Sequence, residues 1–292
     1  MSGDVSEAPA ALAARPPARP RLRAEHRMIA RGALLLAALA LIACAAPLIA
    51  PHDPETVEVR RVLGPPDLVH PFGSDVLGRD VLSRVIYGLR ASLLISLAAV
   101  AGSLIIAVPL GLVAGYAGRW VDSVISRSLD MILVFPAMLL AVTFIAILGP
   151  GSVIVTIAIA VIYLPILARV MRTSTLIVSR SDFVTGSRAR GASHARVLVT
   201  HVAPNALGPV FVQASVLSAF ALQLEAGLSF LGLGTQPPTP SLGGMLADGR
   251  EVLVQAPWVE IFPGLAIVVA VLAFTWLGEG LRQAFDPRGV AE

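Results

Sequence analysis

Six long apolar runs punctuate the chain: Gly32–Ala50, Ala91–Tyr116, Leu129–Leu148, Ser152–Ala168, Ala206–Leu233 and Val259–Leu277. A helix crossing a bilayer needs about 20 mostly apolar residues, so the pattern predicts an all-α integral membrane protein with six transmembrane helices. Pro109, Pro136 and Pro165 fall inside three of the runs and are expected to kink them. Only Gly149-Pro150-Gly151 separates the third run from the fourth, which predicts a tight helical hairpin. Gly111 and Gly115 form a small-xxx-small face on the second span, open to a neighbouring helix or to lipid.

The polar stretches differ in kind. Residues 1–28 are rich in Ala, Pro and Arg and read as a disordered tail. The run Gly32–Ala50 is too long for the core of a signal peptide and no small-residue cleavage pattern closes it. It reads as an uncleaved first helix of roughly 28 Å. The loop 51–90 is Pro-rich at first. From His70 to Leu94 the residues Val81, Leu82, Val85, Ile86 and Leu89 recur at helical spacing, with Arg79, Asp80, Arg84 and Arg90 between them. That pattern predicts an amphipathic helix lying on the membrane surface before the second span. By pattern the chain divides into a tail (1–28), a first span with an outer loop (29–90), a core (91–283) and a short tail (284–292).

A polar, arginine-bearing segment, Asp182–Asn205, is set between apolar runs of the core. It reads as two short helices with an elbow between them. Gly191 can take the left-handed conformation that ends the first helix, and Ser193 can cap the second through its hydroxyl. Pro204, lacking an amide hydrogen, is expected to stop that second helix. Held at both ends by membrane spans, such a segment has the shape of a mechanical joint. The plainer reading is a generic basic loop.

Composition narrows the function. The chain is 56% hydrophobic and 14% charged, against about 25% charged in soluble domains. Every basic residue apart from histidine is arginine; there is no lysine. A P-loop requires a lysine to reach the nucleotide phosphates, so ATP energy must come through a partner. The charge of +3 and the place of the arginines at span ends suit membrane topology rather than nucleic acid. Cys44 stands alone and reads as a packing residue.

With both termini inside, the inner side collects the tail arginines, Arg119, Arg127, Arg169, Arg172, Arg180, Arg188, Arg190, Arg196, Arg282 and Arg288. The outer side keeps Arg60, Arg61, Arg79, Arg84, Arg90 and Arg250. This imbalance places Asp182–Asn205 in the cytoplasm.

The fifth span carries Gln213, Gln223 and Glu225. An ionisable group in a span normally faces protein or a water cavity. Glu225 either lines a translocation path, where it could meet a cationic part of a substrate, or sits near the outer water interface. Glu279 and Arg282 are spaced to pair on one helix face. His194 and His201 lie two turns apart and read as interface histidines rather than metal ligands.

Three stretches resemble the permease subunits of ABC importers, the dipeptide/oligopeptide/nickel subgroup in particular. In the first, Gly191 and Pro204 keep the glycine–proline spacing of that family's cytoplasmic coupling loop, flanked by Asp182-Phe183-Val184, Gly191-Ala192-Ser193 and His201-Val202-Ala203-Pro204-Asn205. The second is Phe72-Gly73-Ser74-Asp75 with Leu77-Gly78-Arg79-Asp80. The third runs from Glu225 to Gly234 and on through Gln236-Pro237-Pro238. The departure is at Thr185, Gly186 and Ser187, where the family has Glu-Ala-Ala; Gly186 lowers helix propensity by roughly 1 kcal/mol relative to Ala.

The resemblance implies the type I importer permease fold and a non-catalytic subunit of the bacterial inner membrane. It implies no cofactor in this chain, with ATP and Mg on partner ATPase subunits. The implied partners are a second permease, two ABC ATPases and an extracytoplasmic substrate-binding protein. Asp182, Thr185, Gly186, Ser187, Arg188, Gly191, Ala192, Ser193, His201 and Pro204 become the residues expected to engage the ATPase. Di- or oligopeptides are the expected cargo, with nickel complexes, glutathione and haem as alternatives. A stand-alone secondary transporter is the rival class, but the spans show no relay of ionisable groups and no internal repeat. A non-transporting membrane scaffold is a second rival.

Overall fold

The computed structural model describes residues 19–285, and among them there is no strand. The expected tail segments 1–18 and 286–292 lie outside the described residues. Helix α1 (Arg19–Cys44) begins within the stretch read as a disordered tail; its apolar part is Met28–Cys44, followed by the short α2 (Ala46–Ile49). Cys44 is exposed on the chain rather than packed.

Among the described residues four helices are long and apolar enough to cross a membrane, against the six spans expected: α3 (Val81–Tyr116), α6 (Ser152–Val178), α10 (Gly208–Phe230) and α12 (Trp258–Ala284). The helices α4 (Arg119–Leu133) and α5 (Ala137–Leu148) meet at 84° and together are long and apolar enough for a broken span or a re-entrant loop. Pro136 is where they part, because a proline pushes the residue before it out of helical conformation. Pro109 and Pro165 do not interrupt their helices. Helix α4 begins at Arg119, well ahead of the apolar run Leu129–Leu148.

Helix α3 corrects the expectation of a separate surface helix. Asp80 caps its first turn, accepting the Ser83 amide at 2.8 Å. The helix then runs unbroken for 36 residues, about 54 Å at 1.5 Å per residue. Val81, Val85 and Leu89 are buried in a core shared with α1, α10, α11 and α12. Arg79 and Arg84 are buried too, because Asp75 takes both: Arg79 Nε donates at 2.7 Å and Arg84 Nε lies at 3.3 Å. Arg84 Nη1 also donates to the Pro54 carbonyl at 3.0 Å. Paired guanidinium groups can enter an interior that excludes unpaired ones.

The second core joins α3, α5, α6 and α10. Here α3 and α6 approach closely. A Cβ on Gly111 would stand 2.5 Å from the Ala168 carbonyl oxygen and 2.6 Å from Met171 Cβ; one on Gly115 would stand 2.7 Å from the Arg172 carbonyl oxygen. The small-xxx-small face thus meets a helix, not lipid. Against this pair lies α4, held by ion pairs. Asp122 takes Arg172 in a two-pronged pair, and Arg169 Nη2 donates to Asp130 at 2.7 Å. A cavity of about 210 Å³ sits beneath, lined by Gly111, Ala114, Leu129, Asp130 and Arg172 among others.

At the opposite end of α3, the loops that carry Phe72 and Trp258 form a cap. Between the last two apolar runs lies α11 (Leu242–Arg250), capped by Ser241 and packed against α12, α10 and α3. Phe72 stacks on Phe262 at 3.8 Å between centroids, and Trp258 Nε1 donates to the Ser74 carbonyl at 3.1 Å.

Candidate functional site

The joint lies at the far end of α3 and α6 from the cap. Helix α6 ends at Val178, and α7 (Asp182–Ala189) starts after a turn at Ser179–Ser181. Gly191 follows with φ +84°, the left-handed conformation its sequence position called for. Nothing lies within 4 Å of where its Cβ would be, so the glycine is required by backbone conformation and not by crowding. Ser193 then caps α8 (His194–Val197), accepting the Arg196 amide at 3.4 Å.

Pro204 does not stop the second helix. After α8 the backbone widens into a π-helical turn, Leu198–Val202, and resumes as α9 (Ala203–Ala206) with Pro204 in its first turn. A proline fits there because the first-turn amide has no partner within its own helix to lose. The wide turn absorbs the register change, and the chain passes almost directly into α10.

Three valines hold the elbow to the bundle. Val184, Val197 and Val202 are fully buried together, against Leu112, Tyr116 and Val178 from the ends of α3 and α6. Tyr116, the last residue of α3, is the clasp. Its hydroxyl is 3.2 Å from His194 Nδ1, and the Arg188 guanidinium lies over its ring at 5.0 Å. Sequence reading had missed Tyr116 and the valines. The signal available was that these valines are among the few large apolar residues in a polar stretch.

The other expected residues divide by face. Ser187 is buried and Ala192, Gly186 and His201 are half-buried, whereas Asp182, Thr185, Arg188, Gly191, Ser193 and Pro204 are exposed. Asn205 Nδ2 donates to the His201 carbonyl at 2.7 Å. Phe183 and Val199 are apolar yet 50% and 69% exposed, and Arg190 and Arg196 are exposed as well. The elbow thus exposes two large apolar side chains and several arginines.

Glu225 is elsewhere. It is fully buried between α10 and α3, where Ser92 Oγ donates to it at 2.6 Å and Ser229 Oγ at 2.7 Å. Neither the inner cavity nor the surface reaches it. Gln223 is exposed and Gln213 half-buried on the same helix. Glu279 and Arg282 approach to 3.9 Å, as their spacing suggested.

Comparison with known proteins agrees with this geometry. A family described as "binding-protein-dependent transport system inner membrane component" matches residues 107–289. A dipeptide transport system permease protein of Alkalihalophilus pseudofirmus is 41% identical over 265 residues, covering 90% of this chain and 87% of that protein. A di/tripeptide transport system permease protein of Pseudomonas aeruginosa is 43% identical over 268 residues, covering 88% of each. Among solved structures, the inward-facing MetNI methionine ABC transporter has a chain that superposes with a TM-score of 0.57 at 18% identity, covering 70% of this chain and 95% of its own. That likeness concerns the fold.

Proposed function

Because the chain belongs to the family of binding-protein-dependent transport system inner membrane components, we propose that it is the peptide-translocating permease half of an ATP-driven importer, moved from the cytoplasmic side through its elbow. The observation that carries this reading is the elbow itself: a left-handed Gly191 between two short helices, clasped to the end of α3 by Tyr116.

The mechanism follows from those connections. Two ATPase subunits bind the exposed Phe183, Val199 and arginines of the elbow, and they supply the ATP and Mg; this chain contributes no catalytic residue or cofactor. When the ATPases close, the elbow shifts as one body, because its valines are buried together. Tyr116 passes the shift to α3, and Val178 passes it to α6. These two helices are locked by Gly111 and Gly115, so they move together. Helix α4 rides on α6 through its ion pairs and swings at the break before Pro136. Substrate arrives from an extracytoplasmic binding protein and passes between this chain and a second permease. Both termini lie in the cytoplasm. Gln223 and Gln213 are the polar groups that α10 offers to the path, while Glu225 fastens α10 to α3.

Di- and tripeptides are the favoured cargo, since relatives of about 40% identity carry those names. The test is reconstitution of the chain with its partner permease, ATPases and binding protein in proteoliposomes. Uptake of a labelled dipeptide that needs ATP on the elbow side and the binding protein on the other supports the reading. Uptake by the chain alone, driven by an ion gradient, refutes it.

A further inference from the structure

Beneath the outer cap, His52, His70 and Asp80 come together from three separate segments: the turn after α2, the outer loop and the start of α3. One ring nitrogen of each histidine and one carboxylate oxygen of Asp80 all lie within 4.8 Å of one another. We propose that these three side chains form a binding site for a divalent transition-metal ion of the Zn2+ class, separate from the elbow and from any translocation role.

Charge is the first reason. Asp75, a few residues away and equally buried, is met by two arginines. Asp80 is only 2% exposed, yet its partners for ionic contact among the described residues are the two histidines. A buried carboxylate needs a compensating charge, which a bound cation would supply.

An orphaned atom is the second reason. His52 Nδ1 is buried without a hydrogen-bond partner, 3.9 Å from Asp80 Oδ2. It is too far to bond the carboxylate directly and near enough to share an ion with it. His70 Nδ1 lies 2.9 Å from Asp80 Oδ1.

The third reason is support around the cluster. Ser83 holds two of the three ligands at once. Its amide donates to Asp80 Oδ2 at 2.8 Å, and its hydroxyl accepts the His52 amide at 3.1 Å. The first contact orients the Asp80 carboxylate, as hydrogen bonds do for carboxylate ligands of metal sites; the second holds the His52 backbone beside it.

Two imidazoles and a carboxylate suit Zn2+, Co2+ or Ni2+ rather than Mg2+ or Ca2+, which favour all-oxygen sites. Bond lengths of about 2.0–2.2 Å to nitrogen and oxygen require the ligands to draw in slightly. The two rings are stacked at 4.4 Å with 21° between planes. His52, with 31% of its side chain exposed, turns to direct its nitrogen at the ion. Water takes the fourth position. A bound ion then ties the end of the first span to the start of α3.

The experiment uses the full chain in its assembled complex, purified with a tag that contains no histidine. Co2+ is the probe, with Zn2+ as competitor. One Co2+ per chain is expected, with visible absorption bands of low-symmetry nitrogen–oxygen coordination that Zn2+ abolishes and Mg2+ does not. His52→Gln should weaken binding by at least roughly tenfold. Asp80→Asn keeps the helix cap and should weaken it as well, which covers the case where either variant folds poorly. Zn2+ should raise the melting temperature of the parent complex and not of the variants. Absence of stoichiometric binding overturns the proposal. So does binding that survives both variants and disappears instead with His194→Ala or His201→Ala.

Discussion

Ser92 and Glu225 join α3 to α10 through a hydrogen bond of 2.6 Å, and neither side chain meets solvent. Ser229 donates to the other carboxylate oxygen from one turn further along α10. Glu225→Ala would leave two buried hydroxyls without an acceptor, at about 1–3 kcal/mol for each. The expected outcome is a lower melting temperature in detergent, with uptake reduced for every substrate in proportion to folded protein. Glu225→Gln keeps an acceptor for one serine and should lose less. A change in substrate preference with unchanged melting would instead assign Glu225 to the path.

Gly111 has no room for a side chain, since a Cβ would press on the Ala168 carbonyl and Met171. Gly111→Val should separate α3 from α6 and cost about 1–3 kcal/mol. Gly102, which has only Ala160 Cβ at 3.8 Å, offers a control on the same helix. Gly102→Ala should melt close to the parent protein.

Within the elbow the two glycines should respond in opposite directions. Gly186 lies in α7 with only Arg190 Nη1 near its Cβ position, at 3.6 Å. Gly186→Ala should therefore stabilise α7 by up to about 1 kcal/mol. Gly191→Val forces a branched residue to φ +84° and should cost at least about 1–2 kcal/mol. Gly191→Asn should be milder, because asparagine tolerates that conformation. Substrate-stimulated ATP hydrolysis in the assembled complex reads the difference: intact with Gly186→Ala, reduced with Gly191→Val.

The ion pair between Asp122 and Arg172 fastens α4 to α6. Both side chains are partly exposed, so its direct contribution to stability is small, up to about 1 kcal/mol. Its mechanical contribution is separable. Arg172→Gln should accelerate cysteine labelling at Leu129→Cys, which lines the cavity beneath α4. Exchanging the two residues should restore slow labelling. Equal labelling in all three proteins would mean that α4 is held by other contacts.

Asp67 gives the outer loop a pH dependence. Its carboxyl accepts the backbone amides of His70 and Val69 and the Arg61 guanidinium, which hold its pKa down from 3.8 to about 2. A carboxyl lowered on folding contributes fully above its unfolded value and loses that contribution as pH falls through its folded one. Cleavage of the loop by pepsin should therefore rise as pH drops from 3.8 towards 2. Asp67→Asn should cleave readily across that whole window.

Much of the elbow was legible because its determinants are local. A glycine in the left-handed region and a serine cap act within a few residues, and Gly191 and Ser193 do both. The features that could not be read depend on distant partners. Asp122 kept the first part of α4 outside the apolar run Leu129–Leu148, and only Arg172, reaching it from α6, makes that part a packed helix. Arg79 and Arg84 suggested a surface helix because their shared partner, Asp75, gave no sign of burial in the sequence. The place of Glu225, at a path or near the water interface, stayed open in the sequence because its partner Ser92 lies 133 positions away. Pro136 announced a bend, but only tertiary packing sets it at 84°. Pro204 announced a stop, and the π-helical turn before it carried the chain onward.

Site-specific photo-crosslinking in native membranes tests most directly whether the elbow is where the ATPases push. A photoreactive residue is placed at Phe183 or Val199 on the elbow, and at Leu68 in the outer loop as a reference; all three are exposed. The mechanism predicts adducts with the ATPase subunit from Phe183 and Val199 and none from Leu68. An ATPase adduct from Leu68, with none from either elbow position, would contradict it.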